Sequence, residues 1–329
     1  MKVKGGKNIS IKMLNILVTG GCGFIGSNFI NYMLENHKDI FIVNIDRLDY
    51  CSNINNVTHK ERYQLIVTDL NNYNIVREVL NQYNIDVIIH FAAQSHVDNS
   101  FGNSIQFTKD NVLGTHTLLE CARDYGKITR FIHISTDEVY GEVDIEHKGC
   151  NEKSLLNPTN PYAATKAAAE FLVRSYYHSF KLPVIITRGN NVYGPRQYPE
   201  KLIPRFITRL IKGEKCPIHG EGKSRRNFIY VDDVSRAVEM ILIKGEINEI
   251  YNIGCEDEYS VKDILEMLSL KLDINKDLEE LCEYVEDRAF NDFRYCIDSK
   301  KLEVLGWAKK VSFEEGIEKT IRWYKLNTL

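Results

Sequence analysis

Four absences narrow the reading before any motif is weighed. No stretch of the 329 residues approaches a membrane span, and Met1–Met13 is basic and polar, without the apolar core of a secretory leader. Charge of neither sign is in excess: 42 Lys and Arg against 45 Asp and Glu leave −3. No broad field therefore draws nucleic acid or an anionic membrane, although a local arginine cluster could hold a small anion. The eight cysteines, Cys22, Cys51, Cys121, Cys150, Cys216, Cys255, Cys282 and Cys296, include no CxxC and no alternation with histidine at ligand spacing. The expectation is a cytoplasmic, reducing setting, unpaired thiols and no metal. Internal repeats, charge blocks and low-complexity linkers are missing as well.

What is present, from Asn15 onward, is an alternation of short apolar runs with amphipathic stretches. Ile16–Thr19, Phe41–Ile45, Gln64–Val67, Val87–Phe91, Phe131–Ser135 and Val184–Thr187 read as strands too apolar to be half exposed. Ser27–Glu35, Ile75–Asn81 and Asn111–Tyr125 read as helices between them. Buried strands separated by helices predict an α/β fold, a Rossmann-like, doubly wound parallel sheet covered on both faces. After Gly194 the pattern changes to Pro195, Pro199 and Pro204, a helix over Ile203–Ile211, a turn at Gly220–Lys223, and short strands near Asn227–Val231 and Ile250–Ile253. The expected division is a flexible extension at 1–13, a dinucleotide-binding domain at 14–187 and a smaller substrate-binding domain at 188–329. The two are interleaved, because 230–243 reads as a helix returning to the first domain.

The first strand runs into Gly20-Gly21-Cys22-Gly23-Phe24-Ile25-Gly26 and then a helix. Glycines there let the backbone turn sharply and approach a pyrophosphate, while the helix N-terminus offers unpaired N–H groups. An ordinary tight turn would explain a bare glycine pattern equally well. Asp46, twenty positions after Gly26 at the end of the second strand, adds a carboxylate placed for ribose hydroxyls. It favours NAD over NADP, although Arg47 beside it could recruit a 2′-phosphate. Asp69 could accept a hydrogen bond from adenine or simply occupy a surface loop.

Tyr162 and Lys166 stand four apart after Pro161, in an alanine-rich segment that favours helix, so their side chains share a face. An ammonium there would lower the phenol pKa and make Tyr162 a base toward a carbinol. Such a pair also occurs by chance on exposed helices. Ser135 and Thr136 end a strand, and Asp137 and Glu138 follow, giving either paired acid and base or a capped, solvated turn.

These motifs resemble the extended short-chain dehydrogenase/reductases and, within them, the nucleoside-diphosphate-glucose 4,6-dehydratases. The likeness runs from Leu14 to Trp323. Its specific strings are Asn44-Ile-Asp-Arg-Leu-Asp-Tyr, Phe91-Ala-Ala-Gln-Ser-His-Val-Asp, Ser135-Thr-Asp-Glu-Val-Tyr-Gly, Thr187-Arg-Gly-Asn-Asn-Val-Tyr-Gly-Pro, Pro199-Glu-Lys-Leu-Ile-Pro and Tyr251-Asn-Ile-Gly. The resemblance implies catalysis by Thr136, Asp137, Glu138, Tyr162 and Lys166. Tyr162 would be the base at C4, Thr136 would hold O4, Lys166 would tune Tyr162, Glu138 would take the C5 proton and Asp137 would protonate the departing C6 hydroxyl. It implies NAD held by Gly20, Gly23, Phe24, Ile25, Gly26, Asp46, Arg47, Asp69, Leu70, Ala92, Ala93, Tyr162 and Lys166. A nucleotide sugar would be held by Ser95, Thr136, Asn191, Lys201, Arg226, Asn252, Arg288, Asn291 and Tyr295.

The resemblance further implies a homodimer joined through Asn111–Tyr125 and Tyr162–Phe180. Gln94 and Asn291 stand where bacterial thymidine-type enzymes usually carry Glu and His. The strings Arg288-Ala-Phe-Asn-Asp-Phe-Arg-Tyr and Thr187-Arg-Gly-Asn-Asn-Val-Tyr-Gly look more like the dehydratase part of eukaryotic rhamnose synthases, which implies UDP-glucose over dTDP-glucose. The fused synthases continue into an epimerase/reductase, whereas this sequence stops at Leu329, so the keto intermediate is the expected product. Two rivals stay open. A sugar-nucleotide 4-epimerase would use Tyr162 and Lys166 but not the carboxyl pair, and an NAD-binding sensor or scaffold would use neither. His90, His96, His116 and His133 are expected to be packed or hydrogen-bonded.

Overall fold

Burial decides where the strands form. In the computed structural model, which describes residue 11 and residues 13–286 and 292–327, Ile16, Leu17 and Val18 are wholly buried. Each such side chain contributes roughly 1.5–3 kcal/mol, more than any intrinsic strand preference. The extension expected at 1–13 falls almost entirely, and Arg288 and Asn291 fall entirely, outside the described residues.

Six strands are laid down first: β1 (Asn15–Thr19), β2 (Phe41–Asp46), β3 (Tyr63–Val67), β4 (Val87–His90), β5 (Arg130–Thr136) and β6 (Val184–Gly189). The chain then enters a smaller lobe with β7 (Asn191–Tyr193), β8 (Cys216–His219) and β9 (Arg225–Tyr230). It returns as β10 (Ile250–Ile253) before β11 (Glu258–Ser260) and β12 (Cys282–Val285). The large sheet is parallel in the order β10-β6-β5-β4-β1-β2-β3, the doubly wound arrangement expected from the alternation of strands and helices. The small lobe carries β11-β9-β7 and the pair β12-β8.

Two local differences from the sequence reading have simple causes. β3 is the edge strand, so its residues are not all buried and Val67 is 58% exposed. β10 joins the large sheet beside β6 instead of the small lobe; four apolar-rich residues carry no periodicity that could say which sheet they enter.

Helices Phe24–Asn36 and Val231–Lys244 pack on one face of the large sheet around Ile30, Met33, Val238 and Ile241. Helices Tyr73–Gln82, Gly114–Tyr125 and Pro161–Phe180 cover the other face around Val76, Leu118 and Val173. The lobe has its own core around Phe206, Ile264 and Ile317. Thr136, Gly189 and Ile253 lie side by side in register at the carboxyl ends of β5, β6 and β10. Ligand crevices of such sheets open at that edge.

Candidate active site

The glycine loop separates structural demand from functional demand. Gly20 has φ +71°, and a Cβ there would lie 2.7 Å from the Ala92 backbone, so the turn alone requires glycine. Gly23 has φ −75°, and its Cβ would meet only the Gly20 oxygen, at 3.3 Å. A tight turn therefore does not account for Gly23, whereas close approach of a pyrophosphate does. Gly23 faces a cleft of about 250 Å³ lined by every residue expected at the cofactor, from Gly20 through Asp46, Ala92 and Ala93 to Tyr162 and Lys166. No side chain caps the helix that begins behind the loop, which leaves its N-terminus to an anion. Gly20→Ala is expected to cost ~1–3 kcal/mol and to lower dinucleotide retention, checked by thermal melting and by the nicotinamide content of the purified protein.

Asp46 is busier than the sequence suggests. One carboxylate oxygen accepts from the Cys22 N–H at 2.8 Å, the other from the Leu48 N–H at 2.8 Å and the Ser52 hydroxyl at 3.1 Å. It thus knits the glycine loop to the loop after β2 at the wall of the cleft. Arg47 pairs with Asp49 at 2.6 Å, Asp69 at 3.2 Å and Asp110 at 2.7 Å. Those carboxylates answer the question left by the sequence: the guanidinium is already engaged, and a 2′-phosphate would meet net negative charge.

A widened helical turn at Thr108–Leu113 supplies two of the supports that the sequence reading missed. Asp110 grips Arg47 through both oxygens. Asn111 accepts from the Gln94 N–H at 2.7 Å and donates to the Gln94 carbonyl at 3.1 Å, fixing the strand-end loop that carries Ala92, Ala93 and Ser95. His90 lies between the Thr19 and Thr115 hydroxyls at 2.7 and 2.9 Å, and burial holds its pKa down to about 3. It is a neutral structural residue. Among the described residues no His, Cys, Asp and Glu group is arranged to hold a metal ion.

A second cleft, about 360 Å³, meets the first at Tyr162 and is lined by Thr136, Glu138 and Asn160. Asn160 caps helix Pro161–Phe180, accepting from the Ala163 N–H at 2.8 Å, with proline at the first turn. Lys166 follows Tyr162 by about one turn and donates to the Ile134 carbonyl at 2.7 Å. Burial lowers its pKa to about 8. The Tyr162 phenol differs from the sequence expectation: burial first, then the Glu138 charge, raise its pKa, and a hydrogen bond from Thr136 only partly opposes them. The expected pull from Lys166 is not among the causes: the ammonium is turned to the Ile134 carbonyl, and the sequence does not reveal how deeply these groups are enclosed.

Asp137 and Glu138 occupy different positions although they are neighbours in the chain. Glu138 faces the second cleft, while Asp137, 3% exposed, lies behind Thr136 and takes the Asn190 amide on one oxygen at 2.8 Å. Burial raises Asp137 to about 6. Burial and the Asp137 charge raise Glu138 to about 7. The pair therefore holds about one proton near neutrality, a state able both to give and to take one.

Ser95, Asn191, Lys201, Arg226 and Tyr295 line the second cleft. Lys201 donates to the Ser95 carbonyl at 2.8 Å, and Arg226 lies over the Tyr295 ring at 4.7 Å while donating to the carbonyls of Asp292 and Phe293. Asn252 is not brought there. Its amide is fully buried, accepting from the Tyr140 hydroxyl and donating to the carbonyls of Cys150 and Asp298. An asparagine at a strand end reads the same in sequence whether it serves a ligand or closes a core network.

Both clefts open at one sheet edge and share Tyr162, the arrangement of the extended short-chain dehydrogenase/reductases, and the fold is of that class. More narrowly, the chain belongs to the GDP-mannose 4,6 dehydratase family, whose profile matches residues 17–320. A trifunctional UDP-glucose 4,6-dehydratase/UDP-4-keto-6-deoxy-D-glucose 3,5-epimerase/UDP-4-keto-L-rhamnose-reductase of Arabidopsis thaliana is 50% identical over 317 residues, covering 95% of this chain and 47% of that protein. The chain thus spans about half the length of the first curated relatives it matches. A dTDP-D-glucose 4,6-dehydratase of Mus musculus is 48% identical, covering 95% of this chain and 89% of that protein. A crystal structure of the dTDP-glucose 4,6-dehydratase of Streptomyces venezuelae, with NAD bound, superposes with a TM-score of 0.90 at 38% identity, covering 95% and 98% of the two chains.

Proposed function

We propose that this chain is an NAD-dependent nucleotide-sugar 4,6-dehydratase that converts UDP-glucose, in preference to dTDP-glucose, to the 4-keto-6-deoxy sugar. The observation that carries the proposal is the enclosed Asp137/Glu138 pair beside Tyr162, because a 4-epimerase needs the tyrosine but no second acid and base. NAD, when bound in the first cleft, would supply the redox half, taking two electrons from C4 and returning them at C6. Tyr162, in its phenolate form, takes the proton of the C4 hydroxyl, which Thr136 orients. Glu138, facing the cleft, removes the C5 proton made acidic by the new ketone, Asp137 provides the proton for the departing C6 hydroxyl, and Glu138 returns a proton to C5 once the electrons are back at C6. Lys201 and Arg226 meet the diphosphate as cations. The two relatives at 50% and 48% identity do not separate the bases; the preference for UDP rests on the Arg288-Ala-Phe-Asn-Asp-Phe-Arg-Tyr and Thr187-Arg-Gly-Asn-Asn-Val-Tyr-Gly strings, with Gln94 and Asn291 as departures from the thymidine type.

The test is incubation with each nucleotide sugar, following product mass and the alkali-induced absorbance of a 4-keto sugar. Loss of one water, faster with UDP-glucose, supports the proposal. Unchanged mass with inversion at C4 makes the chain an epimerase, and NAD binding without turnover makes it a sensor. The carboxyl pair also predicts a narrow pH profile for kcat, with a maximum between about 6 and about 7. Below that window both groups are protonated and the base is lost; above it both are ionised and the acid is lost. The stability linkage has the same origin. Folded-state values above the ordinary 3.8 and 4.5 make the pair's contribution greatest at low pH, and it is lost as pH rises through about 6 to about 7.

The proposed setting is the cytoplasm, supported by eight free cysteines; no helix among the described residues is long and apolar enough to cross a membrane. A homodimer through helices Gly114–Tyr125 and Pro161–Phe180 is supported by Phe171 and Phe180, 61% and 50% exposed. Phe171→Glu is expected to shift the mass in light scattering from two chains to one.

A further inference from the structure

The carboxyl pair is gripped by two amides whose orientation the backbone dictates. Asn160 Oδ1 must face the Ala163 N–H, at 2.8 Å, and Asn190 Oδ1 must face the Cys255 N–H, at 3.0 Å, because a backbone N–H can only donate. The NH₂ groups are thereby turned toward the carboxyls: Asn160 Nδ2 lies 3.1 Å from Glu138 Oε2, and Asn190 Nδ2 lies 2.8 Å from Asp137 Oδ2. Neither amide can flip to accept a proton without stranding a buried N–H, and both asparagines are more than nine-tenths buried.

We infer that Asn160 and Asn190 are positioning residues that reserve Glu138 Oε2 and Asp137 Oδ2 as acceptors and confine proton exchange to Glu138 Oε1 and Asp137 Oδ1. This rests on the dehydratase reading for its use but not for its existence. The exchangeable oxygen of Asp137 then faces the Thr136 hydroxyl, 3.3 Å away, so Asp137 communicates with the cleft through Thr136 although its own side chain does not line it. Thr136 can serve because its oxygen also accepts from the Glu138 N–H at 3.3 Å, leaving its proton for Asp137, for Tyr162 or for a sugar oxygen. The other charged or titratable neighbours are Arg226 from β9, Lys201 ahead of helix Leu202–Ile211, Tyr162, Tyr295, Cys150 and Cys296. These neighbours act on the carboxyls through charge, whereas each amide opposes a single oxygen.

Donors to an ionised carboxylate favour that form, so removing either amide raises the pKa of its partner. The test uses the full chain and does not need turnover: infrared absorption of the protonated carboxyl bands against pH, assigned with Glu138→Gln and Asp137→Asn. Asn160→Ser keeps the helix cap while removing the amide and is expected to raise the Glu138 midpoint by about one pH unit. Asn190→Ser is expected to do the same for Asp137. Asn160→Asp and Asn190→Asp keep shape and cap but oppose one carboxylate with another, and their shifts should be larger. In active protein the acid limb of the kcat profile, set by the base Glu138, moves up in the Asn160 variants, and the alkaline limb, set by the acid Asp137, moves up in the Asn190 variants. Unmoved midpoints in variants that melt as the parent does overturn the inference. Water loss by the parent protein is scored separately: midpoint shifts without water loss leave the amide lock standing and remove the dehydratase reading, while water loss with unmoved midpoints does the reverse.

Discussion

Glu138→Gln is expected to slow water loss by about 10²- to 10⁴-fold, the usual worth of a positioned general base. The substitution preserves volume at a partly buried position on the cleft wall, so the loss should fall on kcat and not on folding. Glu138 lies on the cleft wall among Thr136, Asn160 and Tyr162, where a sugar C5 proton could be reached directly. The measurement is product mass against time, with incorporation of solvent deuterium at C5 as the more specific readout. A fall smaller than tenfold removes Glu138 as the base. Asp137→Asn should also be slow, but through the acid step, so its deficit should shrink with sugars whose C6 substituent leaves without protonation. Such a contrast between neighbouring residues follows from their separate environments, one facing the cleft and one enclosed behind it.

Glu170→Gln is expected to cost about 3–5 kcal/mol of stability, measured by urea unfolding. Glu170 and Arg188 are 2% and 3% exposed and joined by several hydrogen bonds, the closest 2.6 Å. Arg188 also donates to the Tyr140 hydroxyl at 2.8 Å and lies 4.7 Å from the centre of that ring. Removing one partner leaves a guanidinium in the interior without its counter-charge, which is why the single change is severe. Glu170→Met with Arg188→Met should cost much less than the sum of the single changes, as a double-mutant cycle would show. A loss below about 1 kcal/mol for Glu170→Gln would mean that the pair is dispensable. The pair also reaches the chemistry: Glu170 raises the pKa of Lys166, one turn before it, against the burial that lowers it to about 8. Without Glu170 the ammonium is lost at lower pH.

The parts of the site that were legible in sequence are those whose meaning is local. Gly20 to Gly26 followed by a helix, Asp46 at a strand end and Tyr162 with Lys166 four residues later each fix a geometry by spacing alone. The apolar runs likewise located β1 to β6 within a residue or two at each end. What stayed hidden depends on partners distant in the chain. Asn160 was readable as a helix cap, since it precedes Pro161, but its second contact is to Glu138, twenty-two residues earlier. Asn190 meets Asp137 across fifty-three positions and Asn111 meets Gln94 across seventeen, and neither spacing has a local signature. Asn252 erred in the opposite direction: its string pointed to a ligand, and the fold uses its amide to close a core network with Tyr140. Tyr162 shows the same limit in electrostatics, because i,i+4 spacing announces an ammonium but not the depth at which both groups are enclosed.

The path of the chain between sheet and lobe has a mechanical consequence. It passes from one to the other between β6 and β7, again where β9 gives way to helix Val231–Lys244, and again between β10 and β11. Asn190 lies in the first passage, and the residue whose N–H it receives, Cys255, lies in the last. A rocking of the lobe against the sheet would have to bend at these strand ends, and the amide that spans two of them also touches Asp137. In such a movement the acid would sit at the bend, and the angle between sheet and lobe and the aim of a proton would be set by the same few atoms.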